Sequence, residues 1–273
     1  MSISPATKLT AIIGDPVTHS LSPLLHNKVY ENEEVDAVML AFGHPSIEKL
    51  IVAMRVLPIH LAAVTMPHKQ TIMSLLDDID KTAHDIGAVN TVINREGKLH
   101  GFNTDVVGIA TALKDVTLTG ANALLIGAGG AARTVAYHLK QEEAHIFCSN
   151  RDRSQAEALM SAFGGTFIDS RDFGEQPFDV VVNATPVGMN PNAGVSPFPA
   201  EHLRPEMAVF DLVYSPLETK LLVDAKACGA RTISGLTMFL AQGIEQERLW
   251  LGKTVDSAPY LKLLEEHIRG ENA

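Results

Sequence analysis

Lys69 and Asp105 are the residues of this chain whose types and surroundings best suit moving a proton. Lys69 closes the run Val64-Thr65-Met66-Pro67-His68-Lys69, where an apolar strand-like stretch gives way to what reads as a helix. In a first helical turn the positive end of the dipole disfavours a cation, so stability does not ask for a lysine there. An ammonium that is readily discharged suits proton exchange near neutral pH. A solvated surface lysine is the plain alternative, and His68 beside it reads as a surface or packing residue. Asp105 ends Gly101-Phe102-Asn103-Thr104-Asp105 and could equally cap the helical stretch after it, as Asn90 in Gly87-Ala88-Val89-Asn90-Thr91 could satisfy a turn. Upstream, His19-Ser20-Leu21-Ser22-Pro23 brings two hydroxyls close together beside backbone N–H groups, a pattern that can hold a small carboxylate; Ser22 before Pro23 is also a good helix cap. Together, two hydroxyls, an amide, a lysine and a carboxylate at loop ends around one cleft describe a site for a hydroxylated carboxylic acid with an acid/base pair beside it.

A second locus binds rather than reacts. The run Ala123, Leu124, Leu125, Ile126 ends on Gly127, and Gly127, Gly129 and Ala132 match the G-x-G-x-x-[G/A] spacing ahead of the helical RTVAYHLKQ. Glycine is needed there because the backbone turns sharply and approaches a pyrophosphate closely, while the helix start supplies free N–H groups. A glycine-rich turn without a ligand is the alternative. About 20 residues on, where an NAD site carries an acid for the ribose hydroxyls, stand Asn150-Arg151-Asp152-Arg153. Arg151 and Arg153 can meet a 2′-phosphate, which favours NADP, whereas Asp152 opposes a phosphate and can accept from a ribose hydroxyl. NADP is the expected cofactor, with NAD left open.

These residues need elements to hold them. Strand and helix patterns alternate from the start: LTAIIG, LLHNKVYEN, AVMLAFG, SIEKLIVAMRVL, LAAVTM and HKQTIMSLLDDI, with Ile47, Leu50, Ile51, Met54 and Leu57 forming one apolar helical stripe. VNTVINREGKLHGFN reads as a hairpin about Arg95-Glu96-Gly97, and VVGIATALKDV as a connecting helix. After the glycine turn, HIFCSN, GTFID, DVVVNAT, MAVFDLVY and RTIS read as strands separated by helices. The expected fold is α/β with two domains: a substrate domain with a mostly parallel sheet over 1–105 plus 240–273, and a Rossmann-type dinucleotide domain over 106–239. The last helical segments, TMFLAQGIEQERLW and YLKLLEEHIR, have no strand partners of their own and can return to the first domain.

Composition narrows the class. With 46% hydrophobic and 20% charged residues over 273 positions, the chain is globular with ample core. A net charge of −10 argues against nucleic acid as a partner. No apolar run reaches the ~18 residues of a membrane span and the N-terminus carries no leader pattern, so the cytoplasm is expected and a membrane partner is not. Cys148 and Cys228 have no metal-ligand spacing around them, so reduced thiols and no metal are expected. Oligomeric state has no handle here.

In this order HSLSPLLHN, VTMPHK, GAVNT, GFNTD, GAGGAAR, NATPVGM, DLVYSPLET and GLTMFLAQG make the chain resemble the shikimate and quinate dehydrogenases over nearly its whole length. The resemblance implies a two-domain enzyme that reversibly reduces 3-dehydroshikimate with NADPH. It implies that Ser20 and Ser22 bind the substrate carboxylate, that Thr65, Asn90, Asp105, Tyr214 and Gln242 bind its hydroxyls, and that Lys69 and Asp105 form the acid/base pair. It also implies that Gly127, Ala128, Gly129, Gly130, Ala131, Asn150, Arg151, Asp152, Arg153, Thr185, Val213 and Gly235 surround the cofactor. Three positions depart from the family pattern: Ala63 where asparagine is typical, Val106 where glycine is common, and Asp152 where many NADP users have threonine. A quinate or aminoshikimate dehydrogenase using NAD, and a dinucleotide-binding sensor without turnover, therefore stay open.

Overall fold

The computed structural model describes residues 3–271. These form two compact units: one runs to Asp105 and resumes over Leu240–Leu264, the other is Val106–Phe239 with the chain from Glu265 on. No helix among the described residues is long and apolar enough to cross a membrane.

The first unit is laid down as β1 (Lys8–Gly14), α1 (Ser22–Asn32), β2 (Ala37–Gly43), α2 (Ile47–Val56), β3 (Leu61–Val64), β4 (Asp78–Ile79), α3 (Lys81–Ile86), β5 (Thr91–Arg95) and β6 (Lys98–Phe102). Its sheet has the order β2-β1-β3-β5-β6-β4. The β1–β2, β1–β3 and β4–β6 pairs are parallel and β5 is antiparallel to both neighbours, so only β5 runs against the rest. That reversal is the predicted hairpin: Glu96 and Gly97 both have positive φ (54° and 87°), the backbone a tight two-residue turn requires. On α2 the Ser46 hydroxyl accepts from the Lys49 N–H and caps the helix, while Ile47, Leu50, Ile51 and Met54 are buried. Leu57, expected on the same stripe, lies past the helix end and is 50% exposed.

One expected helix is absent. Residues 68–79 form a turn, a short 3-10 helix (Thr71–Leu75) and β4 instead. The apolar spacing was helical, but the edge of β6 offers a better outlet for backbone hydrogen bonds: Asp77 N–H donates to Leu99 O (3.0 Å), and β4 then pairs with His100 and Gly101. A Cβ at Gly101 would lie 2.5 Å from Leu76 Cδ1, so glycine lets this segment close on the strand. The six-residue α3 follows, too short to show periodicity but marked at both ends. Asp80 accepts from the N–H groups of Thr82 and Ala83, and Gly87 closes the helix in the left-handed region.

The second unit carries α4 (Asp105–Leu113), β7 (Asn122–Ile126), α5 (Gly130–Gln141), β8 (His145–Ser149), α6 (Arg153–Phe163), β9 (Thr166–Phe167), β10 (Val180–Asn183), β11 (Ala208–Asp211), α7 (Lys220–Ala227) and β12 (Arg231–Ser234). α8 (Gly235–Leu251) and α9 (Ala258–Glu271) complete the chain. The second sheet is wholly parallel in the order β12-β11-β10-β7-β8-β9, the doubly wound arrangement with its switch point between β7 and β10. Along β7, Ala123 and Leu125 join one apolar cluster while Leu124 and Ile126 join another. Helices cover both faces of such a sheet, which is why its strands read as continuous apolar runs.

Candidate active site

In the first unit, the ends of three strands are tied together by backbone. Val64 N–H donates to Asn90 O (2.7 Å), Asn90 N–H to Phe102 O (3.0 Å), and Val89 N–H to Lys69 O (2.7 Å). Asn90 is thereby fixed between the strand leading to Lys69 and the strand leading to Asp105. The side chains complete the cluster: Lys69 Nζ donates to Asp105 Oδ2 (2.6 Å) and Asn90 Nδ2 to Asp105 Oδ1 (2.8 Å). Asn90 Nδ2 also reaches Thr104 Oγ1 (2.9 Å) and Gln242 Oε1 (3.2 Å). The Lys69 and Asp105 side chains are 17% and 5% exposed. A carboxylate so buried needs a charge partner and hydrogen bonds, and Lys69 and Asn90 supply one donor to each of its oxygens.

Lys69 sits in the turn ahead of the 3-10 helix and not in the first turn of an α-helix, so the expected helix dipole does not act on it. Its setting comes from Asp105 instead. His68 is buried, with Nε2 2.8 Å from His44 O, and packs as structure. Ser22 is the first residue inside α1, so the N-cap position falls to Leu21 and not to Ser22; Ser20 Oγ accepts from the Ser22 N–H (3.2 Å). Thr65 follows β3, and its loop is tied to the one after β1 through Asp15 N–H to Met66 O (2.9 Å). Ala63 packs with Ile12 and Val17 in a small apolar cluster. The structure thus joins Lys69, Asn90, Asp105 and Gln242 directly, and sets Ser20 and Ser22 at the start of α1 and Thr65 just past the end of β3. Tyr214 belongs to the second unit, its ring centroid 4.8 Å from that of Phe239.

In the second unit the glycine turn has the shape its spacing predicts. Gly127 has φ +115°, and a Cβ there would lie 3.0 Å from Ala184 O. Gly129 is the N-cap of α5 with no capping side chain, and nothing stands within 4 Å of a Cβ built on it, leaving the helix start open. Ala132 is fully buried, small enough for α5 to lie close on the sheet. Ala128 packs against the same apolar cluster, and Gly130 and Ala131 form the first turn of α5. These residues fit a pyrophosphate cradle: an open helix N-terminus, a turn only glycine adopts, and no acidic side chain in the first turn.

Beyond the turn, Asp152 caps α6 through Ser154, whose N–H (3.0 Å) and hydroxyl (2.7 Å) both donate to Oδ1. The Ser154 hydroxyl, chief among these partners, holds the exposed Asp152 carboxyl below its ordinary range. Arg153 is engaged by Glu157 (2.7 Å) and lies over the Phe167 ring at 4.7 Å. Asn150 Nδ2 donates to Asp152 O (2.9 Å) and holds the turn. Arg151 is exposed and has no hydrogen bond or ion pair among the described residues, which leaves its guanidinium available to an anion.

Thr185 and Val213 are placed by two residues that sequence reasoning passed over. Asn183 and Asp211 face each other at the ends of β10 and β11. Asp211 Oδ1 accepts from the Val213 N–H (3.0 Å) and Asn183 Nδ2 (2.9 Å), and Oδ2 from the Thr219 hydroxyl (2.6 Å). Asn183 Oδ1 in turn accepts from the N–H and hydroxyl of Thr185 (3.0 and 2.7 Å). Burial pushes the Asp211 carboxyl up to about 6, against the pull of those three donors. The signal was present: each is a polar residue ending an apolar strand, at the head of NATPVGM and of DLVYSPLET. A Cβ on Gly235 would lie 2.3 Å from Leu212 O, so only glycine lets α8 start against this strand end.

Comparison with known proteins identifies the family. Residues 12–92 match the family described as shikimate dehydrogenase substrate binding domain, and residues 109–189 the family described as shikimate / quinate 5-dehydrogenase. A shikimate dehydrogenase (NADP(+)) of Thermococcus kodakarensis is 42% identical over 253 residues, covering 90% of this chain and 92% of the relative. A crystal structure of a shikimate dehydrogenase in complex with NADP+ superposes with TM-score 0.89 at 38% identity, covering 99% of this chain and 97% of that one. The enzyme of Thermus thermophilus in complex with NADP(H) and shikimate gives TM-score 0.85 at 37% identity, covering 96% and 98%. Fold and family matches place the chain among the dinucleotide-dependent oxidoreductases built on two α/β sheets. Within that class it belongs to the shikimate dehydrogenase family.

Proposed function

We propose that this chain is a shikimate dehydrogenase that interconverts shikimate and 3-dehydroshikimate with NADP(H). The observation that carries the proposal is the Lys69 Nζ to Asp105 Oδ2 contact of 2.6 Å, braced by Asn90, in a member of this family. Ser20 and Ser22 bind the substrate carboxylate, and Thr65, Asn90, Asp105, Tyr214 and Gln242 its hydroxyls. The unit that runs to Asp105 and resumes over Leu240–Leu264 serves as substrate domain and the unit built on Val106–Phe239 as dinucleotide domain. NADP(H), when bound, would supply the hydride chemistry of the reaction at the ring carbon bearing the reacting oxygen. Lys69 delivers a proton to that oxygen on reduction and removes it on oxidation. Asp105 aims the Lys69 amine, and the lone pairs it does not spend on Lys69 and Asn90 can accept a substrate hydroxyl. The serines and amides act by holding the ring in register.

Gly127, Ala128, Gly129, Gly130 and Ala131 cradle the pyrophosphate, with Asn150, Asp152, Arg153, Thr185, Val213 and Gly235 shaping the rest of the cofactor site. Arg151 meets the 2′-phosphate; its unengaged guanidinium and the commitment of Asp152 to a helix cap support NADP over NAD. The two free cysteines suit a reducing compartment, and we place the chain in the cytoplasm. The test is kcat/KM for NADP+ and NAD+ with shikimate, and again with quinate. The expected order is NADP+ over NAD+ and shikimate over quinate, with Arg151→Ala lowering the NADP+/NAD+ ratio by about 10- to 100-fold, the worth of a charge-assisted contact. An unchanged ratio would show that the phosphate is met elsewhere.

A further inference from the structure

Gln246 lies one helical turn beyond Gln242 on α8 and is 1% exposed. Its Nε2 donates to Asn90 O (3.3 Å) and to Thr91 Oγ1 (3.0 Å). Its own Oε1 is buried without a hydrogen-bond partner among the described residues. A leucine would fill this position without leaving a polar atom unpaired, so stability alone does not call for glutamine here.

The hydrogen bonds around it have a direction. Thr91 Oγ1 accepts from Gln246, which leaves its proton to be donated to Asn90 Oδ1 (2.8 Å). The Thr104 N–H donates to the same oxygen (2.7 Å). The Thr104 hydroxyl lies farther off, at 3.2 Å from that oxygen. With these donors on Oδ1, the Asn90 amide is oriented with Nδ2 toward Asp105 Oδ1 (2.8 Å). The flipped amide would set a carbonyl oxygen against a carboxylate and an N–H against an N–H. Without Gln246, the Thr91 hydroxyl can turn to Thr104 Oγ1, 3.2 Å away, and its bond to Asn90 Oδ1 is lost, leaving that oxygen to the Thr104 N–H and hydroxyl.

We propose that Gln246 is a positioning residue for the reaction. Acting through Thr91 and Asn90, it fixes the donor that holds Asp105 in line with Lys69, and it touches no reacting atom itself. This rests on the function proposed above. Its test is steady-state kinetics on Gln246→Leu, Thr91→Val and the double variant, with Thr91→Ser as the conservative control that keeps the hydroxyl. The expected result is a kcat about 10- to 100-fold lower in Gln246→Leu and in Thr91→Val, with KM for shikimate moved much less. The double variant should be no worse than the poorer single variant, because both break one chain, and Thr91→Ser should recover most of the turnover lost in Thr91→Val. Parent-like kcat in a folded Gln246→Leu, or losses that add in the double variant, would overturn the proposal. The Asn90 side-chain amide gives a second reading by nitrogen-15 NMR: its protons should exchange slowly in the parent and fast in Gln246→Leu, and equal exchange would also overturn it. That signal does not depend on turnover, so a parent inactive toward shikimate would count against the proposed function and leave the relay to be judged on exchange.

Discussion

Replacing Lys69 with alanine is expected to lower kcat by about 10²–10⁴-fold, the usual contribution of a positioned acid/base group, with KM for shikimate much less affected. The alanine variant alone would confound two roles, since it also strips a mostly buried carboxylate of its ion partner. Lys69→Arg separates them. Arginine keeps a positive charge opposite Asp105 but holds its protons across the accessible pH range, so this variant should fold and bind cofactor like the parent while turning over far more slowly. Steady-state kinetics beside a cofactor-binding titration checks both. A fast Lys69→Arg enzyme would mean that the lysine contributes charge and not a proton.

The second large effect concerns the pH dependence of stability. The Asp211 carboxyl, fully buried, is raised from an ordinary 3.8 to about 6, chiefly by burial. The folded state therefore holds its proton more tightly than the unfolded chain does. The resulting stabilisation is full below about pH 4 and is lost as pH rises through about 6. A gap of this size corresponds to roughly 3 kcal/mol between pH 4 and pH 7. Asp211→Asn cannot ionise and keeps an oxygen for Val213 and Asn183, so its stability should gain on the parent's by about that amount over the same interval. Denaturant unfolding of both proteins across this range is the measurement; parallel curves would mean that the Asp211 carboxyl is not raised.

Much of this was legible in the residues because the fold announces itself through periodicity and breaks. Apolar runs ending in glycine, asparagine or aspartate marked the strands of the second sheet, and the glycine spacing marked the turn at Gly127. Residues 68–79 were misread because helical spacing of Ile72, Leu75, Leu76 and Ile79 says nothing of a free strand edge nearby; the partner, β6, lies about Leu99 to Gly101 and decides the outcome. The consequence reached the site, since the helix dipole expected at Lys69 is replaced by a direct ion pair with Asp105.

Asp152 was ambiguous in sequence for a different reason. A carboxylate two residues before a serine can cap a helix or meet a ribose, and only the geometry shows the first in use. Gln246 gave no sign at all, because a glutamine in a helix ordinarily faces water; its burial against Asn90 and Thr91 is a property of the packed helix. The buried carboxylate at Asp211 was hidden in the same way, inside a motif whose first residue holds the others in place.

The account is tested most directly by offering the purified chain shikimate and NADP+ and following the absorbance of reduced cofactor. Steady formation of NADPH, faster than with NAD+ and suppressed by Lys69→Arg, is the predicted result. Measurable NADP+ binding with no reduced cofactor formed from shikimate would contradict it, and would leave a protein that keeps the dinucleotide fold without the dehydrogenase reaction.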